Sequence, residues 1–423
     1  MIAVIEPGNF SGSVTPPSSK SITQRAYAAA LLHTGRSIIH YAGVSDDEAI
    51  ALQIIQQLGA KIISQTEHTI EIESNGVHCA SDHIHCGESG LSARLFTPIA
   101  ALSGEKISIS GGGSLLNRPM HGFDEVFPQL DVVLHDFKGH LPFGIQGPIQ
   151  PRSVKIDAAE GSQFLSGLLF SLSACVTEPI TIDVAGLKSK PYIDLTLDIL
   201  KHTGKLIAHD RYKKFFIDPA KFEQKETIKI SVAADWSSAV YFLVAGAIAG
   251  DVTVHNLPAN SMQADEAILD VLRMAGALVC IDGDTVSVKM SNLQAFEFDA
   301  THCPDLFPAL AVLGACCEGE SHIKGVHRLF HKESNRVESI TEMLQSFAVP
   351  WGVEEDTLIV TGVQRLQGAV IDAYNDHRIV MAAAVAALRA NGPVEIAHAG
   401  VVSKSYPAFF KDFILCGARC TFK

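Results

Sequence analysis

A helical apolar pattern that closes on a small residue and runs straight into a β-branched stretch recurs along this chain. It constrains the fold more tightly than any other feature. The clear copies are LQIIQQLGAKI (Leu52–Ile62), LDILKHTGKLI (Leu197–Ile207) and LDVLRMAGALV (Leu269–Val279). Weaker ones are FDEVFPQLDVVL (Phe123–Leu134), ITEMLQSFAVPWGV (Ile340–Val353) and FFKDFILCGARC (Phe409–Cys420). Between the markers Gly59, Gly204, Gly276 and Gly417 the separations are 145, 72 and 141 residues, near two, one and two units of roughly 72. Each copy places apolar residues at helical spacing and ends on a position suited to a left-handed helix stop. Such junctions occur in any α/β protein, but the even spacing favours a repeat. The period exceeds that of common solenoids, so two compact domains of three units each fit better than an extended array.

A chain of 423 residues is also too long for one hydrophobic core. The count predicts one domain over residues 16–232 and another over residues 1–15 plus 233–423, the latter including a first strand at Ile2–Ile5. The chain would cross between them near Val14–Pro17 and near Val232–Asp235, and a ligand held between the domains would sit by those crossings.

Composition narrows the partners. The net charge of −13 disfavours nucleic acid or an anionic membrane as a partner, since both reward a broad basic surface. A small anion needs only a few converging Lys and Arg. Residues 1–10 have neither a basic n-region nor a long apolar h-region, so no signal peptide is expected. Apolar runs such as Ala239–Ala249 are too short to span a bilayer. Nine scattered cysteines point to reduced thiols in a cytoplasmic protein.

The residues suited to anion binding stand at predicted helix entrances. PPSSKSITQRAYAAALL (Pro16–Leu32) sets Lys20 and Ser21 at a helix start with Arg25 one turn on. Free N–H groups, the positive end of the dipole, a hydroxyl and two cations there suit an anion. HCGESGLSARLF (His85–Phe96) offers a turn with Gly90 and then Arg94, and LLNRPMHGF (Leu115–Phe123) puts Arg118 before a proline suited to a first helical turn. Ser162, Gln163, Ser189 and Tyr192 supply neutral donors at later element starts. In the second half, Asp305 reads as the N-cap of a very apolar helix that carries on through Cys316 and Cys317. Lys332, Glu333 and Arg336 group in one expected helical turn; Asp376, His377 and Arg378 precede an apolar helix; Lys404 precedes a Pro-interrupted helix start. Cations at so many entrances oppose the usual dipole preference, which suggests that they serve a multiply charged anion.

The segments PSSKSITQR, GESGLSAR, NRPM, SQFLSGLL, SKPYID, NSMQAD, CPDLFPALAVL, HKESNR, YNDHR and SKSYP resemble, in order, those of the EPSP synthase (3-phosphoshikimate 1-carboxyvinyltransferase) family of enolpyruvyl transferases. The likeness runs from about residue 7 to about residue 413. It implies an α/β (α+β) fold of two similar inverse α/β barrel-like domains, each of three βαβαββ units, closing on substrates. The reaction implied is transfer of the enolpyruvyl group of phosphoenolpyruvate to the 5-hydroxyl of shikimate 3-phosphate. By the same resemblance Lys20, Ser21, Arg25, Ser162, Gln163, Ser189, Tyr192, Asp305 and Lys332 would hold shikimate 3-phosphate. Lys20, Gly90, Arg94, Arg118, Gln163, Glu333, Arg336, Arg378 and Lys404 would surround phosphoenolpyruvate. Asp305, Glu333 and Lys20 would be catalytic, with Glu333 giving a proton to C3 and Asp305 taking one from the hydroxyl. No cofactor or metal is implied, and a monomer is expected.

Some positions depart from the family's commoner pattern. Glu88 stands where Asn is usual, adding a negative charge beside an anion site; Leu91 and Leu95 replace Thr and Pro; Gly161 stands where a second Ser often precedes Ser162. The stretch Arg328–His331 is also atypical. Gly90 is at the position tied to the family's response to glyphosate. Two other readings compete. A sister transferase acting on UDP-N-acetylglucosamine relies on a loop cysteine, and none has a matching context here. A non-catalytic anion binder would not call for Asp305 and Glu333 among its cations. A zinc site at His78, Cys79, His83, His85 and Cys86 has the residue types but no regular spacing.

Overall fold

The computed structural model describes residues 1–258 and 260–423. All six predicted helix–strand junctions hold a residue in the left-handed region. Gly59 (φ 111°), Gly204 (84°), Gly276 (82°) and Gly417 (98°) fill four of them, and Asp131 (58°) and Ala348 (58°) fill the other two. Glycine takes this conformation freely, whereas a Cβ costs roughly 1–2 kcal/mol there. The two copies without glycine therefore keep the geometry of the repeat while losing its most visible mark.

The chain divides into two compact units, one of Ser18–Val232 and a split one of Met1–Pro17 with Ala233–Lys423. The first carries helices α1 (Lys20–Leu32), α2 (Asp46–Gln57), α3 (Gly90–Ala100), α4 (Gly122–Val126), α5 (Gln163–Cys175) and α6 (Pro191–His202). The split unit carries α7 (Trp236–Ala249), α8 (Ile268–Met274), α9 (Phe307–Ala315), α10 (Arg336–Ser346), α11 (His377–Ala387) and α12 (Phe409–Leu415).

Among the described residues the strands form six four-stranded sheets of one topology: a parallel pair followed by two antiparallel neighbours. The repeat is plainest in Val154–Asp157, α5, Ile180–Ala185, α6, Ala208–Asp210 and Lys214–Ile217, a β-α-β-α-β-β order. Distant strands complete three of the sheets. Ala3–Glu6 lies between Val394–Ile396 and Arg419–Phe422, Phe10–Val14 joins Gly250–Val254, and Thr227–Ser231 joins Gly35–His40.

Each unit has inner and outer helices. In the split unit α9 and α11 are buried at every position and α7 at all but Ser237, and the three pack on one another. Their apolar character on all sides suits only an interior position. Helices α1, α3 and α5 do the same in the other unit, where every residue of α3 is buried. The sheets flank these helices and alternate accordingly: Ile70 and Ile72 face inward while Glu73 faces out. Among the described residues no helix is long and apolar enough to cross a membrane.

Candidate active site

The Ser18–Val232 unit gathers its polar residues at the N-terminal ends of its inner helices. Ser19 stands at the N-cap position of α1 without a side-chain capping bond, and Lys20 at its first turn pairs with Asp47 of α2, Nζ to Oδ2 2.8 Å. Arg25 follows one turn later and is only 1% exposed. Its donors reach Thr196 Oγ1 (2.9 Å), the Ser21 carbonyl (2.9 Å), Ser166 Oγ (3.4 Å) and the Tyr192 carbonyl (3.2 Å). Every one of these partners is neutral, so the guanidinium keeps its full charge. Burial pushes Arg25 down to about 10, with Tyr192 opposing, which leaves it a cation at neutral pH. Ser189, in the left-handed region at φ 54°, turns the chain into α6 and accepts from Tyr192 N–H.

Arg94 sits in α3 with Nη1 2.8 Å from Gln163 Oε1 at the start of α5, Nη2 2.9 Å from the Pro119 carbonyl, and its guanidinium over the Phe164 ring. Ser162 is the N-cap residue of α5. Gly90 opens α3 beside Arg118: a Cβ there would lie 2.5 Å from Nη1, so the arginine itself fills the space that the missing side chain leaves. Glu88 does not stand simply as an extra charge, since its Oε2 accepts from Ser114 N–H at 3.2 Å in the turn beyond. Arg118 is buried, but α4 begins at Gly122, so Pro119 is not in its first turn.

The split unit builds an ionic network around Arg336, the first residue of α10 and fully buried. Nη1 reaches Asp305 Oδ1 (2.7 Å), Nη2 reaches Glu333 Oε2 (2.6 Å), and Nε reaches Asp376 Oδ2 (2.8 Å). Lys332 Nζ and Arg378 Nη2 add contacts to Asp305 at 3.3 and 3.2 Å. Burial alone would raise the Asp305 carboxyl, but Arg378, Lys332 and Arg336 outweigh it and hold it well below the usual carboxylate range. Asp376 follows the same logic and is held low by Arg336, while its Oδ1 accepts from Arg378 N–H as the N-cap of α11. Lys404 Nζ donates to the Asn375 carbonyl at 2.9 Å.

Several expectations need correction. Asp305 is not a helix cap: it lies in a 3-10 turn, Pro304–Leu306, before α9, and three cations outbid backbone N–H groups for its carboxylate. Lys332 and Glu333 lie in the bend ahead of α10, and only Arg336 is helical. Lys404 ends a 3-10 turn, Ala399–Lys404, and α12 starts later at Phe409. Helix α9 ends at Ala315, so Cys316 and Cys317 follow it. His83 Nε2 and His85 Nδ1 both meet Ser110 Oγ, at 2.6 and 2.9 Å, and among the described residues no three His, Cys, Asp or Glu are placed to hold a metal.

Sequence reasoning gave no role to Asp47, Asp376, Ser166 or Thr196. Asp376 carried a signal, standing at a helix entrance beside Arg378; Asp47 stands among the acidic residues Asp46 and Glu48 of a first turn, and Ser166 and Thr196 lie inside helices, so nothing singled these three out.

Six sheets of one topology and two sets of charged helix entrances define the two-domain enolpyruvyl transferase fold. Solved structures agree. EPSP synthase from Acinetobacter baumannii superposes with a TM-score of 0.82 at 24% identity over 100% of both chains. The enolpyruvyl transferase NikO from Streptomyces tendae reaches 0.78 at 16% identity over 99% of this chain and 98% of that one. Residues 4–413 match the family described as EPSP synthase (3-phosphoshikimate 1-carboxyvinyltransferase), and the chain belongs to that family. Relatives named 3-phosphoshikimate 1-carboxyvinyltransferase include one from Clostridium novyi, 34% identical over 97% of this chain and 96% of its own, and one from Methanocorpusculum labreanum, 33% identical over 99% of both.

Proposed function

We propose a division of labour for the enolpyruvyl transfer that this chain, as a member of the EPSP synthase family, carries out. The reaction joins phosphoenolpyruvate to the 5-hydroxyl of shikimate 3-phosphate and releases phosphate. Protonation of C3 makes C2 electrophilic, the hydroxyl attacks C2, and the tetrahedral adduct then loses phosphate from C2 and a proton from C3, the latter returned to the Glu333 carboxylate, to give the enol ether. Asp305, ionised by its three cations, takes the hydroxyl proton. Glu333 delivers the proton to C3. In the unliganded protein Arg336 Nη2 donates to Glu333 Oε2 at 2.6 Å. Anionic groups of phosphoenolpyruvate compete for that guanidinium, which frees Glu333 to take up a proton.

Lys20, Ser21, Arg25, Ser162, Gln163, Ser189, Tyr192 and Lys332 bind shikimate 3-phosphate in this reading. Arg94, Arg118, Arg336, Arg378 and Lys404, with Gly90 and Gln163, receive phosphoenolpyruvate, and Lys20 serves both substrates and assists proton transfer. Arginine forks suit both the carboxylate and the phosphate. The observation that carries the reading is the placing of Asp305 and Glu333 on one buried arginine, a pairing that anion binding alone does not require. We also infer a cytoplasmic monomer, in which the nine free cysteines suit a reducing compartment.

The test is phosphate release from phosphoenolpyruvate with shikimate 3-phosphate or UDP-N-acetylglucosamine as acceptor, for the wild type and Glu333→Gln. Release that depends on shikimate 3-phosphate and drops at least about 100-fold in the variant is expected. Release at the wild-type rate from Glu333→Gln would remove Glu333 from the role.

A further inference from the structure

One buried carboxyl in the split unit has no part in the scheme above. Asp265 lies in a 3-10 turn, Ala264–Ala267, just ahead of α8, and is 1% exposed. Its Oδ2 accepts from the hydroxyl of Ser237 in the first turn of α7, and its Oδ1 has no hydrogen-bond partner. The carbonyl of the same Ser237 accepts from Arg378 Nη1 at 3.3 Å, and Nη2 of that arginine reaches Asp305 Oδ2 at 3.2 Å. Arg378 thus has Asp305 on one nitrogen and, on the other, the residue that holds Asp265.

The charged and titratable groups facing Asp265 include Arg378 of α11, Asp305 and Cys303 of the turn before α9, and Asp235 at the start of α7. Asp235 is committed to capping, accepting from Ser237 N–H and Ser238 Oγ. Burial above all, and then Asp305, push Asp265 up to about 7, with Arg378 and the Ser237 hydroxyl opposing. An acceptor for Ser237 could equally be an amide, which would avoid burying a charge. A carboxyl is useful there only if its charge matters.

We propose that Asp265 is a positioning residue that sets the basicity of Asp305: when ionised it draws on the field of Arg378 and places a negative charge behind the base. Three cations hold Asp305 far down, and a base held too low accepts a proton poorly. A second negative charge on the far side of Arg378 offsets part of that field and strengthens the base. The inference rests on the assignment of Asp305 as the base in the preceding section.

The experiment is the pH dependence of kcat and KM from about pH 5.5 to 9 in the full-length protein. Wild type is compared with Asp265→Asn, which keeps an oxygen for Ser237 and loses the charge. Wild-type kcat is expected to rise through the neutral range, and Asp265→Asn to match it below about pH 6. Above about pH 8 the variant should trail by about threefold to tenfold, with both KM values within about twofold. A constant ratio across the range, or no difference, overturns the proposal. Ser237→Ala loses a contact that favours the ionised carboxyl, so the rise in kcat should remain but move to higher pH; a rise at the wild-type pH would mean that Asp265 does not set it, and would overturn the proposal too. Asp305→Asn in the same assay separates the two claims. If it retains wild-type turnover, the base assignment fails and this inference with it. If it is inactive while Asp265→Asn is indistinguishable from wild type, only the inference fails.

Discussion

Arg25 and Arg336 are both buried guanidiniums at or near the start of a helix, yet their surroundings are opposite. Arg336 touches three carboxylates, those of Asp305, Glu333 and Asp376. Arg25 touches two hydroxyls and two carbonyls. A cation surrounded by carboxylates is compensated before any ligand arrives, and it can change a neighbour's proton affinity when a ligand competes for it. A cation among neutral dipoles has paid the desolvation cost and keeps its charge for an incoming phosphate. On the proposed reading, the split unit moves protons and the Ser18–Val232 unit grips an anion. That contrast follows from the side chains around each arginine, since both units share one sheet topology.

Substitutions that remove each cation should break the contrast if it is wrong. Arg336→Met leaves one fully buried carboxylate, Asp376, and two half-buried ones, Asp305 and Glu333, without their shared partner and should cost about 3–5 kcal/mol of stability, seen as a large fall in the denaturant midpoint, together with loss of turnover. Arg25→Met removes a buried charge that no carboxylate compensates. Its stability should stay within about 1 kcal/mol of wild type, while calorimetry should show shikimate 3-phosphate binding about 100-fold weaker. If Arg25→Met were instead as destabilised as Arg336→Met, Arg25 would be structural.

Asp47→Asn tests a smaller contact. Freed from its 2.8 Å partner, Lys20 loses a fixed position, and kcat should fall about tenfold with little change in stability. The smallest effect is in acid. Asp305 and Asp376 are held below their ordinary 3.8, so the stability they contribute is present above about pH 4 and is lost as pH falls through their lower folded values. On acidification below about pH 4, hydrogen exchange should therefore show α10 and α11 losing protection before α1 and α5. The reverse order would contradict the contrast.

Much of this was legible in the sequence, for reasons that differ by residue. The repeat could be read because a left-handed helix stop favours glycine, and it faded where Asp131 and Ala348 tolerate that conformation. The cations could be read because Lys20, Arg25, Arg336 and Arg378 sit at helix entrances, where positive charge is out of place. Their partners could not. Thr196 and Ser166 look like ordinary helical positions, and only packing brings them to Arg25. Asp305 read as a helix cap because aspartate before an apolar helix usually is one; the three cations that claim it come from segments 27, 31 and 73 residues away. Asp265 carried no signal beyond its motif, since burial and a single serine contact set its character.

The central claim is that Glu333, released from Arg336 by the substrate, delivers the proton to C3. The most direct measurement is deuterium incorporation at C3 in D2O, with shikimate 3-phosphate present, read by NMR on recovered phosphoenolpyruvate and on product. The account predicts rapid incorporation with wild-type protein and at least about a 100-fold slower rate with folded Glu333→Gln. Incorporation at the wild-type rate in that variant would contradict it and place the proton donor elsewhere.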